Sequence, residues 1–156
     1  MSRVLFVCLG NICRSPTAEG VLRHLLVQQA PGLPIEVDSA GTADYHIGEP
    51  PDARSQRAAL RRGIDLSSLR ARQLVAQDFT RFDFLLAMDR SNLRAMQAMQ
   101  PKTSRARVQL FLEYAPQLAL LEVPDPYYGD VSGFENVLDL SAAASLGLIA
   151  ALQKVP

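Results

Sequence analysis

The stretch Phe6–Leu22, FVCLGNICRSPTAEGVL, carries an apolar run through a polar, glycine-containing turn and into a helical pattern. Val4 to Val7 are a short apolar segment bounded by turn residues, which is how a fully buried strand reads. Ser15 and Pro16 read as the N-cap and first helical residue. Ala18, Val21, Leu22, Leu25 and Leu26 follow at helical spacing, and Pro31 with Gly32 closes the helix. A buried strand that turns directly into a helix is the first half of a parallel β/α unit.

The same alternation continues along the chain. LPIEVDSAGT, from Leu33, alternates apolar and polar residues and breaks at Gly41, giving a second strand. A Gly/Pro-containing loop covers Ala40 to Pro51. Asp52 is placed to cap a helix ending at Gly63, with Ile64 making the apolar contact that often follows such an end. Phe82 to Met88 read as the third strand, Asp89 caps a helix through Met99 that Pro101 terminates, and Val108 to Leu112 read as the fourth strand. Pro124 to Asp130 form a loop. Ser132 with Glu135 reads as a capping box for a long last helix bearing Val137, Leu138, Leu148, Ile149 and Leu152 near one face. The expected fold is α/β: one three-layer domain over residues 1–156, with a central, mostly parallel four-stranded sheet flanked by helices.

Composition narrows the function. The chain has 156 residues, enough for one sizeable core. Lys plus Arg number 16 and Asp plus Glu number 16, so the basic excess of a nucleic-acid binder is missing. No apolar run approaches the ~20 residues that cross a bilayer. The apolar start is short and lacks a small-residue cleavage pattern, so it reads as a strand of a cytoplasmic protein. Cys8 and Cys13 are the only cysteines. Their spacing suits neither a C-x-x-C redox pair nor a tetrahedral zinc site, and no metal or cofactor is expected.

The first loop falls at the carboxyl end of the first strand, where open α/β sheets bind ligands. A helix N-terminus offers free N–H groups and partial positive charge to an anion. Gly10 and Asn11 tolerate left-handed backbone angles and let successive N–H groups turn inward as a nest. Arg14 adds a planar fork matched to two phosphate oxygens. The loop therefore reads as a phosphate-binding cradle after strand 1. The patterns G-x-x-x-x-G-K-[ST] and G-x-G-x-x-G are both absent. A thiol, Cys8, stands at the base instead, in surroundings that favour its thiolate. A thiolate beneath a phosphoryl group is in position to attack it.

The spacing of Cys8, Arg14 and Ser15 resembles the C-x5-R-[ST] signature of cysteine-dependent protein tyrosine phosphatases. Its N-terminal place, in VCLGNICRSPTAEG, is similar to the low-molecular-weight protein tyrosine phosphatase family. DSAGT at Asp38–Thr42, GEPPDARS at Gly48–Ser55, RGIDLS at Arg62–Ser67, AMDRSN at Ala87–Asn92 and VPDPYYGD at Val123–Asp130 follow in family order over nearly the whole chain.

The resemblance implies hydrolysis of phosphotyrosine monoesters through a thiophosphoryl-cysteine. It implies Cys8 as nucleophile, Arg14 and the backbone of Leu9, Gly10, Asn11, Ile12 and Cys13 as the phosphate cradle, and Asp125 as general acid and base. Ser15 matches a hydroxyl that bonds the thiolate. Asn11 and Ser39 match a polar pair that fixes the loop, and Asp89 a supporting acid. Tyr127 and Tyr128 match an aromatic rim, Tyr45 the opposing wall, and Ile12 the apolar contact beside them. Cys13 matches a second cysteine able to form a protective disulfide with Cys8. The implied partners are phosphotyrosine-bearing proteins, bacterial tyrosine kinases among them, with no nucleic acid and no membrane. The chain is expected to be a monomer or to self-associate weakly.

Plainer readings stand beside these. A lone cysteine is usually core, Asp before Pro is ordinarily a turn residue, and the two tyrosines could be packing. His24 reads as solvated, His46 as a loop residue, and the arginines at 54, 57, 61, 62, 70 and 72 as a solvated basic face. Met88, Met96 and Met99 read as core or edge filling. Among rival functions, an arsenate reductase needs downstream cysteines that are missing. A phosphocarrier domain of a sugar transport system needs neither Asp125 nor, as a rule, Arg14. A non-catalytic phosphate-binding module would not need Cys8, Arg14 and Asp125 together.

Overall fold

Successive residues of β1, Ser2–Cys8, face opposite layers. In the computed structural model, which describes residues 1–154, Val4, Phe6 and Cys8 share one apolar cluster with Leu22 of α1 (Arg14–Gln29) and Ala144 and Leu148 of α5 (Val131–Gln153). Leu5 and Val7 share another with Phe79, Phe82 and Met96. Both faces of the strand are covered, so its sequence is continuously apolar rather than alternating. Phe6 also meets the ring of Phe111 edge-on at 4.7 Å. The last two residues of the expected domain, Val155 and Pro156, lie outside the described residues.

β1 is central. It pairs in parallel with β2 (Ile35–Gly41) on one side and β3 (Phe84–Ala87) on the other, and β3 pairs in parallel with β4 (Arg107–Leu110). The strand order β2-β1-β3-β4 therefore reverses between β1 and β3. Loops leaving those two strands diverge at their carboxyl ends, and the crevice between them is where such sheets bind ligands. The expected single α/β domain with a four-stranded parallel sheet is the observed one. The remaining helices are α2 (Ala53–Leu60), the single turn α3 (Asp78–Arg81) and α4 (Arg90–Met99).

Several boundaries differ from expectation. Helix α1 begins at Arg14, and Ser15 lies inside it instead of capping it, because its hydroxyl is used by Cys8 and Asn11. Pro16, as the third helical residue, still forgoes only an N–H that has no partner within the helix. β3 and β4 are shorter than expected: Phe82 follows α3, while Phe111 and Leu112 turn into a 3₁₀ segment, Phe111–Tyr114. All three residues are apolar because all three are buried. The last helix is capped by Asp130, whose carboxylate accepts from Ser132 N at 3.0 Å. Glu135 does not return to Ser132; it pairs with Arg61 and Arg62. Helix α2 stops at Leu60, but its exit is the predicted one. Gly63 takes φ 79°, and Gly63 N and Ile64 N bond the carbonyls of Leu60 and Ala59, each at 3.0 Å.

The arginines read as a solvated face are largely engaged. Arg54 pairs with Asp52, Arg61 and Arg62 tie α2's exit to α5, and Arg72 joins Asp38 to Asp78. Among the described residues, α5 is long and apolar enough by composition to cross a bilayer, contrary to the reading that no run approaches that length. Half of its most apolar window is buried within the domain, against α1 and the sheet.

Two glycines mark close contacts of different kinds. A Cβ at Gly147 would lie 1.8 Å from the carbonyl oxygen of Tyr114, a backbone atom with nowhere to go. A Cβ at Gly20 would meet the side-chain ends of Leu66 and Ile64 at 2.3 and 3.1 Å, and those can rotate. Gly147→Ala should cost about 3 kcal/mol of stability, and Gly20→Ala less than half of that. Urea unfolding of the two variants checks the order; equal costs would mean that α5 shifts freely away from the 3₁₀ segment.

Candidate active site

Cys8, a residue only 3% exposed to solvent, ends β1. Ser15 Oγ lies 3.0 Å from that sulfur, and Asn11 N–H donates to it at 3.3 Å. The direction of the serine bond follows from its neighbours. Arg72 N–H donates to Asn11 Oδ1 at 3.0 Å, which fixes the orientation of the Asn11 amide. Its Nδ2 then donates to Ser15 Oγ at 2.7 Å and to Ser39 Oγ at 3.0 Å. Having accepted there, Ser15 turns its own proton to Cys8, and Ser39 turns its proton to Glu19 Oε1 at 2.7 Å.

The loop carbonyls are taken up on the outside. Thr42 N and Ala43 N donate to the carbonyls of Cys8 and Leu9, each at 2.9 Å, and Asp52 N donates to that of Ile12 at 2.8 Å. Asn11 has φ 59°, left-handed as expected, whereas Gly10 does not. Gly10 is small for another reason: a Cβ there would come within 2.9 Å of the His46 ring. Gly41, at the end of β2, is equally constrained, since a Cβ would meet Leu9 O at 2.8 Å.

Arg14 reaches the same hollow from the first turn of α1, with its side chain 3% exposed. Its Nη1 donates to Asp89 Oδ2 at 2.6 Å and to the Val123 carbonyl at 3.0 Å. Asp89 Oδ1 meanwhile accepts from Asn92 N and caps α4. The pair thus spans the crevice between the loops leaving β1 and β3. Burial works against the guanidinium charge. Cys8, Asp89 and Asp125 outweigh it, and Arg14 is held above its ordinary value.

Asp125, 45% exposed, accepts from Tyr127 N at 3.1 Å and stands 3.6 Å from Arg14 Nη2. Cys8, Leu9, Gly10, Ile12, Cys13, Arg14 and Asp125 line one cleft of about 330 Å³, walled by Tyr45, His46, Tyr127 and Tyr128. The rings of Tyr127 and Tyr128 meet edge-on at 4.9 Å. His46 lies between Tyr45 and Tyr127, with its Nδ1 2.6 Å from Glu49 Oε2. Tyr45 and Tyr128 are 70% and 95% exposed, so the rim is open. Among the described residues, no His, Cys, Asp and Glu cluster has the makings of a metal site.

The sequence-predicted site residues thus lie at this cleft or behind it: Asn11, Ser15 and Asp89 are one hydrogen bond from a lining residue, and Ser39 is one further, through Asn11. Cys13 is also present in the wall, but burial, reinforced by Asp52, pushes its thiol up to about 12. Sequence reading missed His46 as a wall residue, Glu19 behind Ser39, the Val123 carbonyl on Arg14, and Arg72 behind Asn11. Glu19 alone left a trace, one helical turn after Ser15 on the same face.

Comparison with known proteins points to one family. The chain matches the family described as low molecular weight phosphotyrosine protein phosphatase over residues 3–155. It is 43% identical to a putative low molecular weight protein-tyrosine-phosphatase of Synechocystis sp., over 97% of each chain. It is 50% identical to the human low molecular weight phosphotyrosine protein phosphatase over 86% of this chain and 85% of that one. Its fold superposes on a protein tyrosine phosphatase from Entamoeba histolytica with TM-score 0.93 at 35% identity, covering 99% and 98% of the two chains. YfkJ from Bacillus subtilis gives TM-score 0.90 at 40% identity, over 99% and 96%.

Glu19 offers a test of the support behind the loop. Burial raises its carboxyl above the usual 4.5, and the bonds from Ser39 and Arg23 offset this only in part. The folded chain therefore holds this proton more tightly than the unfolded chain. The stability that Glu19 contributes is whole below 4.5 and is lost as pH rises through the folded value. The deficit of Glu19→Gln relative to the parent, measured by urea unfolding, should be largest near about pH 4.5 and narrower near about pH 8. A deficit that widens with pH would show that the carboxylate, not the acid, is the stabilised form.

Proposed function

The chain belongs to the low molecular weight phosphotyrosine protein phosphatase family, and from that premise we propose how its residues divide the work. Its activity is that of a cysteine-dependent protein tyrosine phosphatase, a hydrolase of phosphotyrosine monoesters acting through a phosphorylated cysteine. Cys8 attacks phosphorus in line; the S–P bond forms as the bond to the aryl oxygen breaks. Asp125, entering as the acid, gives its proton to the leaving phenolate oxygen. The resulting carboxylate then takes a proton from water, the hydroxide attacks phosphorus, and the S–P bond breaks. Inorganic phosphate leaves, the thiolate is restored, and Asp125 is again an acid.

One observation carries this assignment. The Cys8 sulfur, with two donors on it, shares a hollow with a buried guanidinium and a half-exposed carboxylate. Arg14 and the loop N–H groups hold the equatorial oxygens as charge moves toward the leaving group. Asp89 and the Val123 carbonyl pin Nη1, which leaves the other edge of the fork for phosphate. Tyr45, Ile12, Tyr127 and Tyr128 wall the cleft on both sides of a flat ring, and a buried Cys8 beneath that exposed aromatic rim favours an aryl over an alkyl phosphate.

The substrates are phosphotyrosine proteins; a bacterial tyrosine kinase is the finer candidate we propose. Two free cysteines fit a reducing compartment, which supports a cytoplasmic setting. Balanced charge supports a chain that binds neither nucleic acid nor an acidic membrane surface. The redox role proposed for Cys13 runs in one order only. Its neutral thiol is a poor nucleophile, so an oxidant must first convert Cys8 to the sulfenic acid, which Cys13 then condenses with, releasing water.

Cys8→Ser should abolish turnover of p-nitrophenyl phosphate while inorganic phosphate still protects the protein against heat. Asp125→Ala should lower kcat/KM for phenyl phosphate by about 10²–10⁴-fold and less for a dinitrophenyl ester, whose leaving group needs no proton. Turnover surviving in Cys8→Ser, or a loss in Asp125→Ala that ignores the leaving group, would remove these residues from their roles. The same Asp125→Ala variant, used to capture phosphotyrosine proteins, tests the kinase assignment.

A further inference from the structure

Arg54 stands outside the cleft yet contacts the start of α2, the ring of Tyr127 and that of Phe134 in α5. Its Nε and Nη2 grip Asp52 Oδ1 and Oδ2 at 3.0 and 2.9 Å, and its backbone N–H donates to the same carboxylate at 2.8 Å. Asp52 N in turn holds the Ile12 carbonyl of the phosphate loop. The guanidinium carbon lies 5.5 Å from the ring centre of Tyr127 and 4.6 Å from that of Phe134 in α5. Tyr127 bonds Asp125 through its backbone N–H and lines the cleft with its ring.

We propose that Arg54 is a positioning residue for the reaction, a flat spacer that sets the place of Tyr127 and, through it, of Asp125 relative to the phosphate loop. The fork geometry explains the residue type. A carboxylate gripping Nε and Nη2 fixes the plane of the guanidinium and leaves its face for aromatic rings. Lysine, a hydrated point charge without such a face, cannot reproduce this. Asp125 is half-exposed and its loop, Pro124–Asp130, has no regular structure. The contact with Arg54 gives that loop a reference point on the same helix start that holds Ile12. The inference rests on the functional assignment above and adds to it a link between the acid and the cradle.

The test compares the parent protein with Arg54→Ala, Arg54→Lys and Phe134→Leu, the last removing one face of the stack without touching the arginine. In the parent, turnover of p-nitrophenyl phosphate and its loss in Cys8→Ser first establish the functional assignment; failure there speaks to that assignment, not to Arg54. For the variants, kcat/KM is measured on phenyl phosphate and on a dinitrophenyl ester, together with inhibition by inorganic phosphate. Arg54→Ala and Arg54→Lys should each lose about fivefold or more on phenyl phosphate, with Phe134→Leu losing less. The dinitrophenyl ester and phosphate inhibition should stay within about twofold of the parent. Equal losses on both esters and on phosphate would mean that Arg54 merely supports the loop. Unchanged kinetics, or full activity in Arg54→Lys, would equally overturn the proposal. Should Arg54→Ala fail to fold, Phe134→Leu and Arg54→Lys carry the same leaving-group comparison.

Discussion

Asn11 adopts a left-handed backbone, a conformation that costs a non-glycine residue of order 1–3 kcal/mol. It persists because its N–H, its amide nitrogen and its amide oxygen all have partners. Each such bond contributes about 1 kcal/mol net, so the four together more than offset the strain. The turn they enforce brings an N–H onto the Cys8 sulfur and sends neighbouring carbonyls outward to Thr42, Ala43 and Asp52. The backbone donor on the Cys8 sulfur and the bonds to Ser15 and Ser39 all depend on this one residue being held.

A second constraint is the burial of a guanidinium beside that sulfur. An unpaired charge in such a place would be prohibitive, and Arg14 meets the problem by joining two loops from opposite sides of the sheet's switch point. Asp89 is fixed by its cap on α4 and carries Arg14 on its other oxygen. The Val123 carbonyl adds a neutral acceptor, and Val123 N is itself bonded to Met88 O at the end of β3. The same bonds that make burial tolerable also aim the guanidinium, so fold stability and oxyanion recognition share one set of contacts.

The fold was legible where burial writes a period into the chain. Val4 to Val7 in β1 and the helix spacing after Pro16 both gave true elements, and the strand–helix alternation gave the parallel sheet. Errors came where a side chain had two uses. Ser15 reads as a cap from local chemistry alone, but Cys8 and Asn11 claim its hydroxyl; Glu135 reads as half of a capping box, but Arg61 and Arg62 claim it from across the domain. Phe111 and Leu112 are apolar because they are buried, and burial does not distinguish a strand from a 3₁₀ turn. At the cleft, Cys8, Arg14 and Asp125 stand out because their spacing and company are unusual. His46 does not, since what brings it beside Gly10 is the loop after β2, a contact with no local signature; Glu19 shows only in its place one turn after Ser15.

The floor and the rim of the cleft differ in how freely they can change. Cys8, Asn11 and Arg14 are buried and bonded into the sheet, the first helix and the loop after β3. Substitutions there that change volume or charge disturb packing and leave polar groups unpaired, at costs of about 1–3 kcal/mol or more. Tyr45 and Tyr128 project into solvent, and their ring contacts are confined to other wall residues, His46 and Tyr127. Surface changes at such sites cost a domain only a few tenths of a kcal/mol, while a bound ring would bury a large part of each. With the roles proposed above, recognition of phosphate is tied to the integrity of the fold, whereas selection among phosphate-bearing partners would rest on residues the fold needs little.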